Sequence, residues 1–243
     1  MKKLIPFVFA VVSICCSTEE TKTTNFPIVQ SPEEESSSPD SSNNGNSNTN
    51  DEESEGNVPL NGESRILFVG NSLTYFNDLP GLVEEEAAKR GVQVTADMLA
   101  YPNYAIIDHW NDGEVQELVK DGGYDFLVIQ QGPSSQAWGR QVLFEYGEKF
   151  NTLCNTYGIQ LAYFMVWPSR TYYDTFPGVI KNYKEAAMST NSILCPVGES
   201  WKRHFDRTGD FSFYGTDGFH PSLKGSTSAA RIIVNRLFQR PKG

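Results

Sequence analysis

The chain has 243 residues, of which 30 are acidic and 20 are basic, and it carries a net charge of −10. Ten acidic residues and a single basic residue lie between positions 17 and 60, so the negative charge is concentrated there and residues 61–243 are close to neutral. A nearly balanced domain without a basic cluster gives no reason to expect nucleic acid as a partner. Residues 61–243 are numerous enough for one domain with a substantial core.

Residues 1–16 have the form of a secretory signal peptide. Two lysines precede an apolar stretch over residues 4–14, which is too short to span a bilayer. The stretch ends at residues 12–17, which resemble the lipobox of bacterial lipoproteins, where a cysteine is acylated and becomes the new first residue. We predict lipidation at Cys16, with Cys15 as the runner-up. The simpler alternative is an ordinary signal peptide with incidental cysteines.

Residues 17–60 are rich in Ser, Asn, Glu, Thr and Pro and contain few apolar side chains. Such a segment cannot bury enough surface to offset the entropy of ordering, so it is predicted to be a disordered acidic tether. Residues 17–20 resemble the export signal of surface lipoproteins of Bacteroidetes-type bacteria. The protein is therefore expected in the bacterial cell envelope, attached to the outer membrane through a lipid anchor only and exposed at the surface. The pattern does not indicate an oligomeric state.

Residues 61–243 alternate short apolar runs with longer helix-like segments. The apolar runs of strand length lie at residues 66–69, 92–97, 126–129, 159–166 and 193–197. The clearest helical segments lie at residues 79–90, 113–120, 140–157, 179–190 and 223–239. Alternation of this kind predicts an α/β fold in which helices cover both faces of a parallel sheet.

Two distant segments carry the side chains of a serine hydrolase. Ser72 follows the first predicted strand, and about 145 residues later Asp217 stands three residues before His220. A serine hydroxyl needs a base to remove its proton and a carboxylate to orient that base, so we predict these three roles for Ser72, His220 and Asp217. The simpler alternatives are a helix cap for Ser72, a turn residue for Asp217 and a packed loop histidine for His220.

Residues 70–74 and 217–222 resemble the first and fifth sequence blocks of the GDSL/SGNH hydrolases, with Asn71 where many members have Asp. The resemblance covers residues 65–238. It implies a three-layer α/β/α sandwich with a parallel sheet of the flavodoxin-like type. It also implies hydrolysis of esters without a metal or an organic cofactor.

The middle blocks of that family are matched less well. The second block supplies a glycine N–H to the oxyanion, and its best match, residues 101–105, contains no glycine, so Asn103 is the expected donor. The third block supplies an Asn amide, which is replaced here by Gln130 and Gln131. Together with the Ser72 N–H, these groups form the expected oxyanion hole. The sequence leaves the choice between the two glutamines open.

The remaining histidines and cysteines of the domain are predicted to be structural. His109 follows an apolar run, and His204 lies in a segment that resembles a solvated helix face. Cys154 and Cys195 fall in a predicted helix and a predicted strand, so each is interpreted as a small buried residue. Secretion permits a disulfide between them as the alternative. Neither cysteine has the spacing of a zinc site.

The predicted function is a serine esterase that removes O-acyl groups, acetyl groups above all, from carbohydrate or another small ester. Seven aromatic residues in predicted loops would suit stacking on sugar rings, although loop aromatics also anchor loops. They are Trp138, Tyr172, Tyr173, Phe176, Phe211, Phe213 and Tyr214. The alternatives are a surface glycan-binding lipoprotein with weak or no turnover, and a lipase- or thioesterase-like hydrolase of longer acyl chains, because fold alone does not fix a substrate.

Overall fold

The structure is a computed structural model and describes residues 62–239. The predicted signal peptide, the lipidation site at Cys16 or Cys15 and the predicted tether lie outside the described residues. In the part of the chain that the structure describes, every helix is too short or too polar to span a bilayer.

Five parallel strands form one sheet in the order β2-β1-β3-β4-β5. They are β1 (Ser64–Gly70), β2 (Val94–Ala100), β3 (Phe126–Ile129), β4 (Gln160–Phe164) and β5 (Ile193–Cys195). Ile66 of β1 is aligned with Ala96 on one side and with Phe126 on the other. This is the flavodoxin-like strand order, in which the direction of winding reverses between β1 and β3. The predicted α/β fold with a parallel sheet is confirmed.

Helices cover both faces of this sheet. They are α1 (Ser72–Tyr75), α2 (Leu79–Ala88), α3 (Ile106–Asp112), α4 (Glu114–Gly122), α5 (Ala137–Tyr157), α6 (Phe176–Ser189), α7 (Val197–Thr208) and α8 (Leu223–Leu237). Helix α2 packs against α8 on one face, and α5 packs against α3, α4 and α6 on the other. The three layers bury β1 and β3 on both sides, which explains why these strands are continuous apolar runs in the sequence.

Several boundaries differ from the prediction for identifiable reasons. The last strand was expected to reach residue 197, but β5 ends at Cys195 because Pro196 cannot donate to a strand ladder, and α7 begins at Val197. Helices α3 and α7 were not among the clearest predicted helical segments, although the segment around His204 in α7 was interpreted as a helix face. For α7 a signal was present, since Val197, Trp201 and Phe205 recur every four residues and are buried.

Within residues 62–239, Cys154 in α5 and Cys195 in β5 form no disulfide and are fully buried, as the sequence predicted. Burial in apolar surroundings raises the pKa of both thiols to about 12. At neutral pH they are therefore protonated, apolar packing residues.

Candidate active site

Ser72 lies at the sharp turn between β1 and α1. The preceding residue, Asn71, has an extended backbone, and its side-chain oxygen accepts a hydrogen bond from the Leu73 N–H at 3.1 Å. Asn71 is thus the helix cap, and Ser72 is the first helical residue. The alternative that Ser72 serves as a cap is wrong, and its hydroxyl is free to bond elsewhere.

Gln130, directly after β3, holds this turn in place through its side chain. It is completely buried, and its Oε1 accepts hydrogen bonds from the Asn71 N–H and the Thr74 hydroxyl, both at 2.9 Å. A Cβ atom at Gly70 would lie 2.4 Å from Thr74 Oγ1 and 2.6 Å from Gln130 Oε1. The turn can therefore pack against Gln130 only because residue 70 has no side chain.

The structure brings Ser72, His220 and Asp217 together although 148 residues separate the first two. Ser72 Oγ lies 2.9 Å from His220 Nε2, and His220 Nδ1 lies 2.6 Å from Asp217 Oδ2. A carboxylate can only accept, so Nδ1 carries the ring proton and Nε2 presents its lone pair to the Ser72 hydroxyl. This is the tautomer that a general base acting on Ser72 requires.

Hydrogen bonds to Asp217 hold the carboxylate in its ionised form. Its Oδ1 accepts from the Phe219 N–H at 2.9 Å and from the His220 N–H at 3.0 Å. Partial burial raises the pKa of Asp217, but the hydrogen bonds from the His220 side chain and these two N–H groups outweigh burial, so the pKa lies below its usual range. The carboxyl is therefore charged at neutral pH.

The loop that carries His220 is anchored to the carboxyl ends of the strands. Trp167, which follows β4 and is fully buried, donates its indole N–H to the Phe219 carbonyl at 2.9 Å. Within the loop the Gly215 N–H donates to the His220 carbonyl at 2.7 Å, and Gly218 has a φ of 68°. A residue with a side chain would be strained at position 218, so this tight loop requires its glycine.

Two backbone N–H groups beside Ser72 are candidate oxyanion donors. Asn103 has a φ of 62°, the left-handed region that favours glycine and that Asn tolerates better than most residues, so its backbone has a conformation that glycine adopts freely. Asn71 Nδ2 donates to the Tyr104 carbonyl at 2.9 Å, which ties the Asn103 loop to the Ser72 turn. Within residues 62–239, the N–H groups of Ser72 and Asn103 have no acceptor.

The two glutamines after β3 occupy different environments. The amide nitrogen of Gln130 is buried without a partner among the described residues, so it cannot reach a substrate. Gln131 is 7% exposed, and its Oε1 accepts a hydrogen bond from the Ile106 N–H at 2.9 Å. This bond orients the Gln131 amide nitrogen, which reaches solvent and bonds to no other described residue. Gln131 is the glutamine that can present N–H to a ligand.

The other two histidines lie apart from this constellation. His109 is buried, its Nε2–H donates to the Gly70 carbonyl at 2.7 Å, and burial lowers its pKa, which matches the structural role predicted for it. His204 was expected on a solvated helix face, but it stacks on Phe213 with ring centroids 4.5 Å apart, and its side chain is 23% exposed. It covers the edge of an aromatic cluster.

Of the two roles considered for the seven aromatic residues, sugar stacking and anchoring of the chain, five of them have the second. Tyr173, Phe176, Phe211, Phe213 and Tyr214 pack around Trp201 and Phe205 of α7 as part of the core. Only Trp138 and Tyr172 of the set are exposed, at 65% and 64%. These two rings are available for a ligand.

Tyr172 borders a pocket of about 470 Å³ at the carboxyl edge of β3 and β4. The lining residues are Pro133, Ser135, Gln136, Pro168, Ser169, Tyr172, Thr175 and Phe219. Phe219 precedes His220, so the pocket adjoins the imidazole. Five of the eight lining residues carry a hydroxyl or amide and the other three are apolar, a mixture that suits an organic ligand with both apolar and polar groups. Among residues 62–239, no three His, Cys, Asp or Glu side chains are grouped as metal ligands.

Neither a family model nor a curated relative matches the chain. Solved structures do: an SGNH hydrolase from Slackia heliotrinireducens matches with a TM-score of 0.63 and 22% identity over 73% of this chain and 100% of that one. The lipase/acylhydrolase from Enterococcus faecalis matches with a TM-score of 0.57 and 17% identity over 71% and 94%.

A variant of Axe2, an acetyl-xylooligosaccharide esterase from Geobacillus stearothermophilus, matches with a TM-score of 0.54 and 15% identity over 73% of this chain and 95% of that chain. At such identities the likeness speaks to the fold, and it spans nearly the full length of each neighbour. The resemblance seen in the sequence is confirmed at that level. The chain has the three-layer α/β/α fold of the SGNH hydrolases.

Proposed function

We propose that this protein is a serine esterase that hydrolyses O-acyl esters through an acyl-enzyme intermediate. The observation that carries the proposal is the continuous hydrogen-bonded series from Ser72 Oγ through His220 to the Asp217 carboxylate, with contacts of 2.9 and 2.6 Å. Ser72 follows the carboxyl end of β1, beside β3, where the direction of winding reverses, which is the usual ligand site of an open parallel sheet.

The first half-reaction transfers the acyl group to the enzyme. His220 Nε2 takes the Ser72 proton while Oγ attacks the ester carbonyl carbon, and Asp217 stabilises the resulting imidazolium. The carbonyl oxygen becomes negative in the tetrahedral intermediate. The N–H groups of Ser72 and Asn103 and the amide of Gln131 are the proposed donors to this oxygen.

The tetrahedral intermediate then collapses as His220 gives its proton to the leaving alcohol oxygen, which breaks the original ester bond, leaves an acyl group on Ser72 and completes the first half-reaction. The second half-reaction restores the enzyme. Water enters, His220 takes one of its protons, and the hydroxyl attacks the acyl carbonyl. A second collapse returns the proton to Ser72 Oγ and releases the carboxylic acid.

The substrate class that we propose is acetylated carbohydrate. The pocket beside His220 places the exposed Tyr172 ring next to hydroxyl and amide side chains such as Ser169 and Gln136. Sugar rings present apolar faces and polar edges, so a sugar could stack on the Tyr172 ring and bond to these polar side chains. The Geobacillus neighbour acts on acetylated xylooligosaccharides, which supports the same class for this chain.

The proposal includes a location. A lipid on Cys16 would hold the domain at the outer surface of the bacterial envelope, attached to the membrane through the anchor only. This part depends on the sequence of residues 1–60. An acylated polysaccharide outside the cell is a substrate that a tethered enzyme can reach.

The test is hydrolysis of p-nitrophenyl acetate, butyrate and octanoate by the wild-type protein and by Ser72→Ala and His220→Ala. Acetate is expected to be the best substrate, and both substitutions are expected to abolish its turnover. Ser189→Ala at the far end of α6 and His204→Ala serve as matched controls with turnover retained. Unchanged acetate turnover in Ser72→Ala would refute the assigned nucleophile.

The same assay separates the alternatives. Preference for octanoate would indicate a lipase- or thioesterase-like hydrolase. Calorimetric binding of an acetylated xylooligosaccharide without release of acetic acid would indicate a glycan-binding protein.

A further inference from the structure

The Phe76 ring lies flat against the imidazole of His220. The two ring centroids are 4.2 Å apart and the planes differ by 14°. Phe219 contacts the same imidazole by its edge, at 5.1 Å and 64°. Phe76 is nevertheless 37% exposed, so burial of apolar surface is an incomplete explanation for its position.

The backbone around residue 76 has features that hold Phe76 in this position. Its N–H donates to the Ser72 carbonyl, so the backbone from which the ring projects is fixed relative to the nucleophile. The next two residues, Asn77 and Asp78, both have left-handed backbones with φ of 53° and 52°. Consecutive left-handed residues are rare outside glycine, and Asn and Asp are the side chains that tolerate them best.

Asn77 also joins this segment to the loop of the base. Its Nδ2 donates to the Pro221 carbonyl and to the Ser226 hydroxyl, both at 3.0 Å. Pro221 directly follows His220. The segment that bears the ring and the loop that bears the imidazole are thus held together at two points, the side-chain bonds of Asn77 and the stack itself.

The chemistry of His220 gives the stack a role. When the imidazole takes the Ser72 proton it becomes a cation, and the face of an aromatic ring attracts a cation within about 6 Å of its centroid. Asp217 is the charged side chain that contacts the imidazole among residues 62–239, and it does so at Nδ1 in the ring plane. Phe76 covers a face of the ring, so the two groups act from different directions.

We propose that Phe76 is a positioning residue that acts through His220, stabilising the imidazolium form and holding the ring plane so that Nε2 points at Ser72. The inference rests on the proposed role of His220 as the base. The cation exists only after the proton has moved, so this interaction favours the transition state over the resting enzyme. It would raise kcat and leave the KM for a small ester unchanged.

The experiment measures protonation of His220 directly, by NMR titration of the full chain labelled at histidine, with the signal assigned by its loss in His220→Gln. Phe76→Leu removes the aromatic face. Pentafluorophenylalanine at position 76 keeps the ring shape but reverses its quadrupole. The matched control is Phe144→Leu, which removes a ring that packs under the Arg140 guanidinium at 4.3 Å.

We expect the pH of half-protonation of His220 to fall by about 0.7 unit in Phe76→Leu, which corresponds to about a fivefold change in the protonation equilibrium. The pentafluoro variant should show a fall at least as large, and Phe76→Trp and Phe144→Leu should show none. kcat for p-nitrophenyl acetate should fall about fivefold in the two variants whose titration shifts.

An unchanged titration in both Phe76→Leu and the pentafluoro variant would overturn the proposal. Full activity and an unshifted titration in the pentafluoro variant alone would also overturn it, because the ring would then act by shape only. If the titration shifts but the wild-type protein shows no Ser72-dependent turnover, the stack inference stands and the esterase proposal fails.

Discussion

Replacing Gln131 by Met would test whether the Gln131 amide is a donor of the proposed oxyanion hole. Met keeps the length of the side chain but removes both the amide donor and the Oε1 that accepts the buried Ile106 N–H at 2.9 Å. Loss of one oxyanion donor lowers kcat by about 100- to 1000-fold, or about 2.7–4 kcal/mol of transition-state stabilisation. The orphaned Ile106 N–H should cost about 1–3 kcal/mol of unfolding free energy.

Gln130→Met provides the matched comparison because the two glutamines are neighbours with opposite predicted effects. Gln130 accepts from two buried donors, on Asn71 and Thr74, so its loss should destabilise the fold by about 2–6 kcal/mol. Its amide nitrogen is buried, so it contributes no donor to the substrate. Stability is thus expected to fall further in Gln130→Met than in Gln131→Met.

The assay is urea unfolding for both variants, together with kcat for p-nitrophenyl acetate at a temperature where each variant is fully folded. The reasoning is refuted if folded Gln131→Met retains kcat within about tenfold of the wild type. It is equally refuted if the two variants lose the same unfolding free energy.

Three further outcomes follow from the structure and its sequence. Asn103→Gly should keep kcat because glycine adopts a φ of 62° freely, whereas Asn103→Val should lower kcat in the same ester assay because a β-branched residue is strained there. The pKa of Asp217 is lower in the folded protein than its ordinary value of 3.8, so the ionised carboxyl stabilises the fold above that pH. This stabilisation is lost as the pH falls through the lower folded pKa. The urea midpoint of the wild type should therefore decline more steeply between pH 6 and pH 2 than that of Asp217→Asn. Cys16→Ser should abolish labelling of the protein by radioactive palmitate in a bacterial host, and Cys15→Ser should retain it.

The fold and the triad geometry could be predicted because their signals are local or periodic. The buried strands are continuous apolar runs, and Asp217 and His220 share one short loop whose spacing is visible in the sequence. Ser72 follows a strand, so the sheet topology brings it to the same edge. These features depend on the order and direction of the strands and helices, which hydrophobic patterns in the sequence indicate well.

The remaining parts of the site depend on side-chain orientation. Gln130 and Gln131 are adjacent and identical in type, and only their hydrogen bonds to Asn71 and Ile106 separate the buried acceptor from the accessible donor. The stack of Phe76 on His220 joins residues too far apart in the chain for any local pattern to reveal. The orientation of these side chains is determined by packing in the folded protein, so the sequence alone could not predict it.

The choice between the two roles of the aromatic residues was left open for a similar reason. Without α7 in the predicted element set, the rings of Phe211 and Phe213 lacked partners and looked surplus to the core. In the structure Phe205 of α7 stacks on Phe211 at 4.9 Å, and Trp201 packs on Phe213 at 5.2 Å. The packing of α7 therefore decides which of these aromatic rings are buried and which remain exposed.

The bonds from Asn77 to Pro221 and Ser226 also bear on biosynthesis. During translation the Ser72 hydroxyl emerges from the ribosome well before the His220 imidazole, which lies 148 positions downstream and shortly before α8. A nascent polypeptide that has not reached residue 220 therefore lacks the proposed base, and its Asn77 side chain lacks both partners. Any Ser72-dependent turnover would report chains that were synthesised and folded through α8.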